Sequence, residues 1–127
     1  MINVVVVEDQ AMVRGAISRL LTLEDNIDVV GEAENGDAAI ELLSQLQNSN
    51  QRVDIVLTDI EMPNMTGISM VSKIRRLEGY EYTPIIMLTT ESSDFKKEKA
   101  KKTGATGWLQ KPFDPDRLMK AVNKLVN

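Results

Sequence analysis

The stretch "VDIVLTDIEMPNMTG", residues 53–67, holds two kinds of information. Val53 to Thr58 is apolar apart from one aspartate and one threonine, and rich in β-branched residues, as a buried strand is. Asp59 follows at once, and the chain then turns through Met62-Pro63 toward Gly67. An ionised carboxylate at the end of a buried strand needs a reason, because leaving water is costly for a charge without a partner.

Working outward, the same strand pattern returns on both sides. Val4 to Val7 is a run of four valines, and Ile27 to Ala33 reads as a second strand. Val53 to Thr58 is the third, Thr83 to Thr90 the fourth, and Gly107 to Gln110 a short fifth. Pro84 stands at the start of the fourth, where proline is tolerated. Helical stripes fill the gaps: Val13, Ala16, Ile17, Leu20 and Leu21; Ala39, Leu42, Leu43 and Leu46; Met70, Val71, Ile74 and Leu77. Leu118, Ala121, Val122 and Leu125 form the last stripe. Asn35-Gly36 marks a turn, and 48–52 reads as a loop. A fourth helix over Ser92 to Gly104, capped by Ser92 or Ser93, carries five lysines and a poor apolar stripe. It reads as a solvated helix or as a docking surface for an acidic partner. Five strand-helix alternations predict an α/β domain with a parallel sheet and helices on both faces. The 127 residues are expected to form one domain, 1–127.

Composition narrows the chemistry. The chain has no cysteine and no histidine, which excludes disulfides, zinc-thiolate sites, histidine ligands and Ser-His-Asp catalysis. A net charge of -4 argues against a nucleic-acid footprint in this chain. The N-terminal valine run lacks a basic flank and is too short for a signal peptide, and no stretch approaches a membrane span. A cytoplasmic protein without membrane insertion is expected.

Acid-base and metal work therefore falls to carboxylates, lysines and hydroxyls. In an open parallel sheet these collect at the carboxyl ends of strands. Glu8 and Asp9 follow the first strand, Asp59 and Glu61 the third; Thr89 and Thr90 end the fourth, and Lys111 the fifth. If the strands are neighbours, these residues converge. Carboxylates that crowd together raise each other's pKa or demand a counter-charge. Lys111 supplies one positive charge, and an all-oxygen set selects a hard ion such as Mg²⁺. Asp59 is then a candidate nucleophile toward phosphorus, since carboxylates form aspartyl-phosphates. Against this stand simpler readings: Asp59 as a cap of the loop or helix that follows it, Glu8-Asp9 as the N-cap region of the first helix, Thr89 as a strand former and Lys111 as a surface lysine.

Four motifs in order, "VVEDQ", "TDIEMPNMTG", "MLTT" and "LQKPF", make the chain resemble a response-regulator receiver domain of the CheY-like superfamily. The first half resembles receivers of transcription regulators, the second half stand-alone chemotaxis-type receivers. The resemblance implies a flavodoxin-like (βα)5 three-layer sandwich with parallel sheet order 2-1-3-4-5. It implies that Asp59 is the phosphoacceptor, and that Glu8, Asp9, Asp59 and the backbone carbonyl of Glu61 serve Mg²⁺. Thr89 and Lys111 would attend the phosphoryl group, Thr89 and Trp108 would form a switch, and the Lys111-Pro112 bond would be cis. Implied partners are a histidine kinase or phosphotransfer protein and a downstream protein target. The signalling face would be the fourth helix, fifth strand and fifth helix, on a monomer or weak dimer. Such a module is no enzyme beyond its own phosphoryl transfer and autodephosphorylation. Two rivals remain: a haloacid-dehalogenase-type hydrolase, whose Asp-x-Asp motif would follow the first strand instead, and a receiver fold kept as a scaffold.

Overall fold

The computed structural model describes residues 1–59, 67–89, 105–110 and 115–126. Five strands build one sheet: β1 (Ile2–Val7), β2 (Ile27–Ala33), β3 (Ile55–Asp59), β4 (Ile85–Thr89) and β5 (Gly107–Gln110). Their order is β2-β1-β3-β4-β5, and each neighbouring pair runs parallel. Helices α1 (Ala11–Thr22), α2 (Gly36–Asn48) and α3 (Gly67–Ile74) and a closing helix (Pro115–Val126) complete the described elements.

Strand alternation sorts the side chains into two apolar layers. Val4, Val6, Ile55, Leu57, Ile86 and Leu88 face Ile17 and Leu21 of α1 and Leu118 and Val122 of the closing helix. Val5, Val7, Val56, Ile85 and Met87 face Ala39 and Leu43 of α2 and Met70, Val71 and Ile74 of α3. The continuous apolar runs of β1 and β3 follow from this, because both of their faces are covered. The flavodoxin-like three-layer arrangement expected from the sequence is the one observed.

Several local readings need correction. Ala16, counted in the apolar stripe of α1, is exposed; the helix buries the narrower seam of Ile17 and Leu21. Asn35-Gly36 is a helix start and not a separate turn. Asn35 caps α2, its side chain accepting from the Ala38 N–H at 2.8 Å. Leu77 lies beyond α3, where the Leu77 N–H bonds to the Ile74 carbonyl at 3.0 Å, three residues back, and tightens the chain out of the α-helix. β3 begins at Ile55 and includes Asp59 as its last residue. Before it, the Asp54 carboxylate accepts from the Asn3 N–H at 2.8 Å and pins the entry of β3 to β1. On β2 the register shifts, Val4 pairing with Val29 and Val5 with Gly31, so Val30 is an extra residue in a bulge. Gly31 suits this place, since a Cβ there would meet Leu42 Cδ2 of α2 at 2.8 Å. The fourth predicted helix, Ser92 to Gly104, lies outside the described residues. No helix among the described residues is long and apolar enough to cross a membrane.

Candidate functional site

β1 and β3 are direct neighbours, with Val7 paired to Thr58. That register places the residues just past Val7 beside the last residue of β3. Glu8 and Asp9 follow β1, and Asp59 ends β3. One carboxylate oxygen from each of Glu8, Asp9 and Asp59 lies within 4.8 Å of the other two. The three acids reach this point because adjacent parallel strands end together, not because they are close in sequence.

The cluster sits at the rim of the core. Glu8 keeps only 1% of its surface and Asp59 9%, while Asp9 is partly exposed. Both neighbouring oxygens of a pair 4.8 Å apart repel by about 3 kcal/mol at an effective dielectric of 20. Burial strengthens the demand for positive charge or donors around Glu8. At the start of α1 the N-cap is Gln10, and its side chain makes no capping hydrogen bond, so the capping reading of Glu8-Asp9 finds no support at the cap position. The reading of Asp59 as a cap concerns the segment after it, 60–66, which lies outside the described residues; Asp59 itself is the last residue of β3.

A residue that the sequence reading passed over reaches the backbone of the cluster. Arg14, in the first turn of α1, donates from its guanidinium to the Glu8 carbonyl at 2.8 Å. Its Nε stands 3.8 Å from Glu32 Oε1, on β2. Ser18 donates to the same Glu32 oxygen at 3.0 Å. Thr58 is fully buried; its hydroxyl lies 3.1 Å from the Asp59 carbonyl and 3.9 Å from Met70 Sδ. Arg14 had one signal in the sequence. A cation in the first turn of a helix opposes the helix dipole, so its placement there calls for a partner upstream.

The backbone of Thr89 ends β4 and that of Trp108 lies in β5, paired to Met87. Their side chains, and Glu61, Lys111 and Pro112 entirely, lie outside the described residues. The structure thus brings together Glu8, Asp9 and Asp59, and sets the Thr89 and Gln110 backbones side by side at the same sheet edge. The donor set is all oxygen, which fits a hard divalent cation. Mg²⁺ with bonds of about 2.1 Å spaces its ligands about 3–4 Å apart. Small side-chain rotations would bring the three oxygens into that range.

Comparison with known proteins gives this geometry a setting. Residues 4–123 match the family described as the response regulator receiver domain. The chain belongs to the response regulator receiver domain family. Among its relatives, a chemotaxis protein CheY homologue of Campylobacter jejuni is 38% identical over 116 residues, covering 91% of this chain and 85% of the relative. The nitrate/nitrite response regulator protein NarL of Escherichia coli is 32% identical over 124 residues, 96% of this chain. The receiver spans only 53% of NarL's length. Among solved structures, chemotaxis protein CheY4 of Vibrio cholerae superposes with a TM-score of 0.84 at 36% identity, covering 98% of both chains. Chemotaxis proteins and transcriptional regulatory proteins, such as DesR of Bacillus subtilis, both match nearly the whole chain. As a member of this family it is a signalling module of two-component systems.

Proposed function

We propose that residues 1–127 act as one receiver in which Asp59 accepts a phosphoryl group from the phosphohistidine of a histidine kinase or phosphotransfer protein. The observation that supports this most is the convergence of Glu8, Asp9 and Asp59 within 4.8 Å at the end of adjacent central strands. A carboxylate oxygen of Asp59 bonds to phosphorus as the phosphorus–nitrogen bond of the donor breaks, and the imidazole leaves with that electron pair. Phosphoryl transfer requires chiefly positioning and charge neutralisation. Glu8, Asp9, Asp59 and the Glu61 backbone carbonyl would hold Mg²⁺, which when bound neutralises the oxygens around the transferred group. Lys111 and Thr89 would each attend a phosphoryl oxygen, and Trp108 would report the change by rotating with Thr89. Hydrolysis of the aspartyl-phosphate by the same residues would reset the module. In the cytoplasm the signal would pass by protein contact to a downstream target, from a face that includes β5 and the closing helix.

The test is direct. Incubated with Mg²⁺ and acetyl phosphate, the protein is expected to gain one phosphoryl group by intact mass, and Asp59→Asn to gain none. Steady turnover of a phosphate ester without an adduct would point to a hydrolase instead. No adduct and no Mg²⁺ binding would leave a scaffold.

A further inference from the structure

Glu8 is held by its backbone as well as carrying a carboxylate. Its N–H donates to the Ala33 carbonyl at 3.0 Å, which continues the β1–β2 ladder by one step. Its own carbonyl accepts from Arg14 at 2.8 Å. That carbonyl belongs to the peptide plane joining Glu8 to Asp9. Holding that plane against β1 fixes the backbone rotation after Glu8, and with it the point and heading from which the chain enters Asp9.

Arg14 is well placed for this and poorly placed for anything cheaper. Side chains on a helix tilt toward its N-terminus, so Arg14 reaches back past Gln10 to the loop between β1 and α1. No acidic residue occupies the first turn of α1 to offset the charge there. The offset comes from Glu32, at 3.8 Å, which Ser18 in turn orients at 3.0 Å. β2, α1 and the loop between β1 and α1 are thus tied at one guanidinium.

We propose that Arg14 is a positioning residue for the cation site, acting through the Glu8 carbonyl to aim Glu8 and Asp9 at Asp59. This rests on the reading of that cluster as the Mg²⁺ site. The proposal has a sign that separates it from a purely electrostatic role. A positive charge near the cluster repels Mg²⁺, so removing it by charge alone would tighten metal binding. Loss of positioning weakens it, and partners of metal ligands typically matter by about ten- to a hundredfold in affinity.

The experiment is a Mg²⁺ titration by calorimetry, beside thermal unfolding in EDTA. Arg14→Met removes charge and donors at similar length, and is expected to bind Mg²⁺ about ten- to a hundredfold more weakly. Arg14→Lys, which keeps a charge and a donor, is expected to stay close to wild type. If Arg14→Met fails to fold, Arg14→Gln, too short to reach the carbonyl, carries the same expectation. Unchanged or tighter Mg²⁺ binding by Arg14→Met overturns the proposal, as does a lowered unfolding temperature with affinity intact. Wild-type protein that binds no Mg²⁺ overturns the reading of the cluster itself, and this proposal with it.

Discussion

Tyr80 joins two elements through one hydroxyl. It is 2% exposed, and its O–H donates to the Leu43 carbonyl of α2 at 2.7 Å, across 37 residues of sequence. The partner carbonyl lies about a turn and a half from the end of α2, so the bond fastens that helix to the chain that follows α3. Tyr80→Phe removes this second bond from a carbonyl that the helix itself already engages, and is expected to cost about 1 kcal/mol in urea unfolding. Burial pushes the Tyr80 phenol above its ordinary value. The folded protein therefore keeps a proton that the unfolded chain releases above about pH 10. The Tyr80 contribution is fully present below that pH and declines as pH rises toward the raised folded value. Tyr80→Phe should remove this part of the decline, seen as the difference between the two proteins' stability profiles from pH 9 upward.

Helix α2 shows what a single cap does. Asn35 adopts an extended backbone and its side chain takes up the Ala38 N–H, one of the donors a helix start leaves open. Asp37 adds a favourable charge in the first turn. Asn35→Ala is expected to lower stability by about 1 kcal/mol in the same assay, without changing phosphoryl acceptance. The element also marks how far sequence reading reaches. The apolar stripe of α2 and the span of β2 were legible because burial imposes a period, and a period survives in the residues. Asn35-Gly36 was not, since an N-cap and a turn draw on the same residue types. Leu77 continued the stripe of α3 although the helix had ended, because a side chain in the following turn still packs on the same core. The acids were legible as candidates from their strand ends. The role of Arg14 was not, for its charge in the first turn called for a partner without naming one, and the partner is a backbone carbonyl that no pattern of side chains records.

Across the molecule, the acidic cluster and the sheet share a single thermodynamic fate. Two of the three carboxylates follow β1 and the third ends β3, so they are close only when the chain is folded. Mg²⁺ should therefore favour the folded state, by about 1.4 kcal/mol at ten times its dissociation constant. The unfolding midpoint of the wild type is expected to rise by several degrees on adding Mg²⁺. Asp59→Asn, which takes one charge out of the cluster, should unfold at a higher temperature than wild type in EDTA and respond less to Mg²⁺. Differential scanning calorimetry with and without the ion checks both, and equal responses of the two proteins would count against the cluster as the binding site.

The bulge at Val30 bears on how the protein behaves in a crowd. β2 is one of the two outer strands of the sheet, and it carries Asp28 and Glu32 exposed on either side of the bulge. An uneven, negatively charged border makes a poor template for strand addition by a second chain. Resistance to fibre growth along that margin is thus written into the same residues that let Gly31 nestle against Leu42.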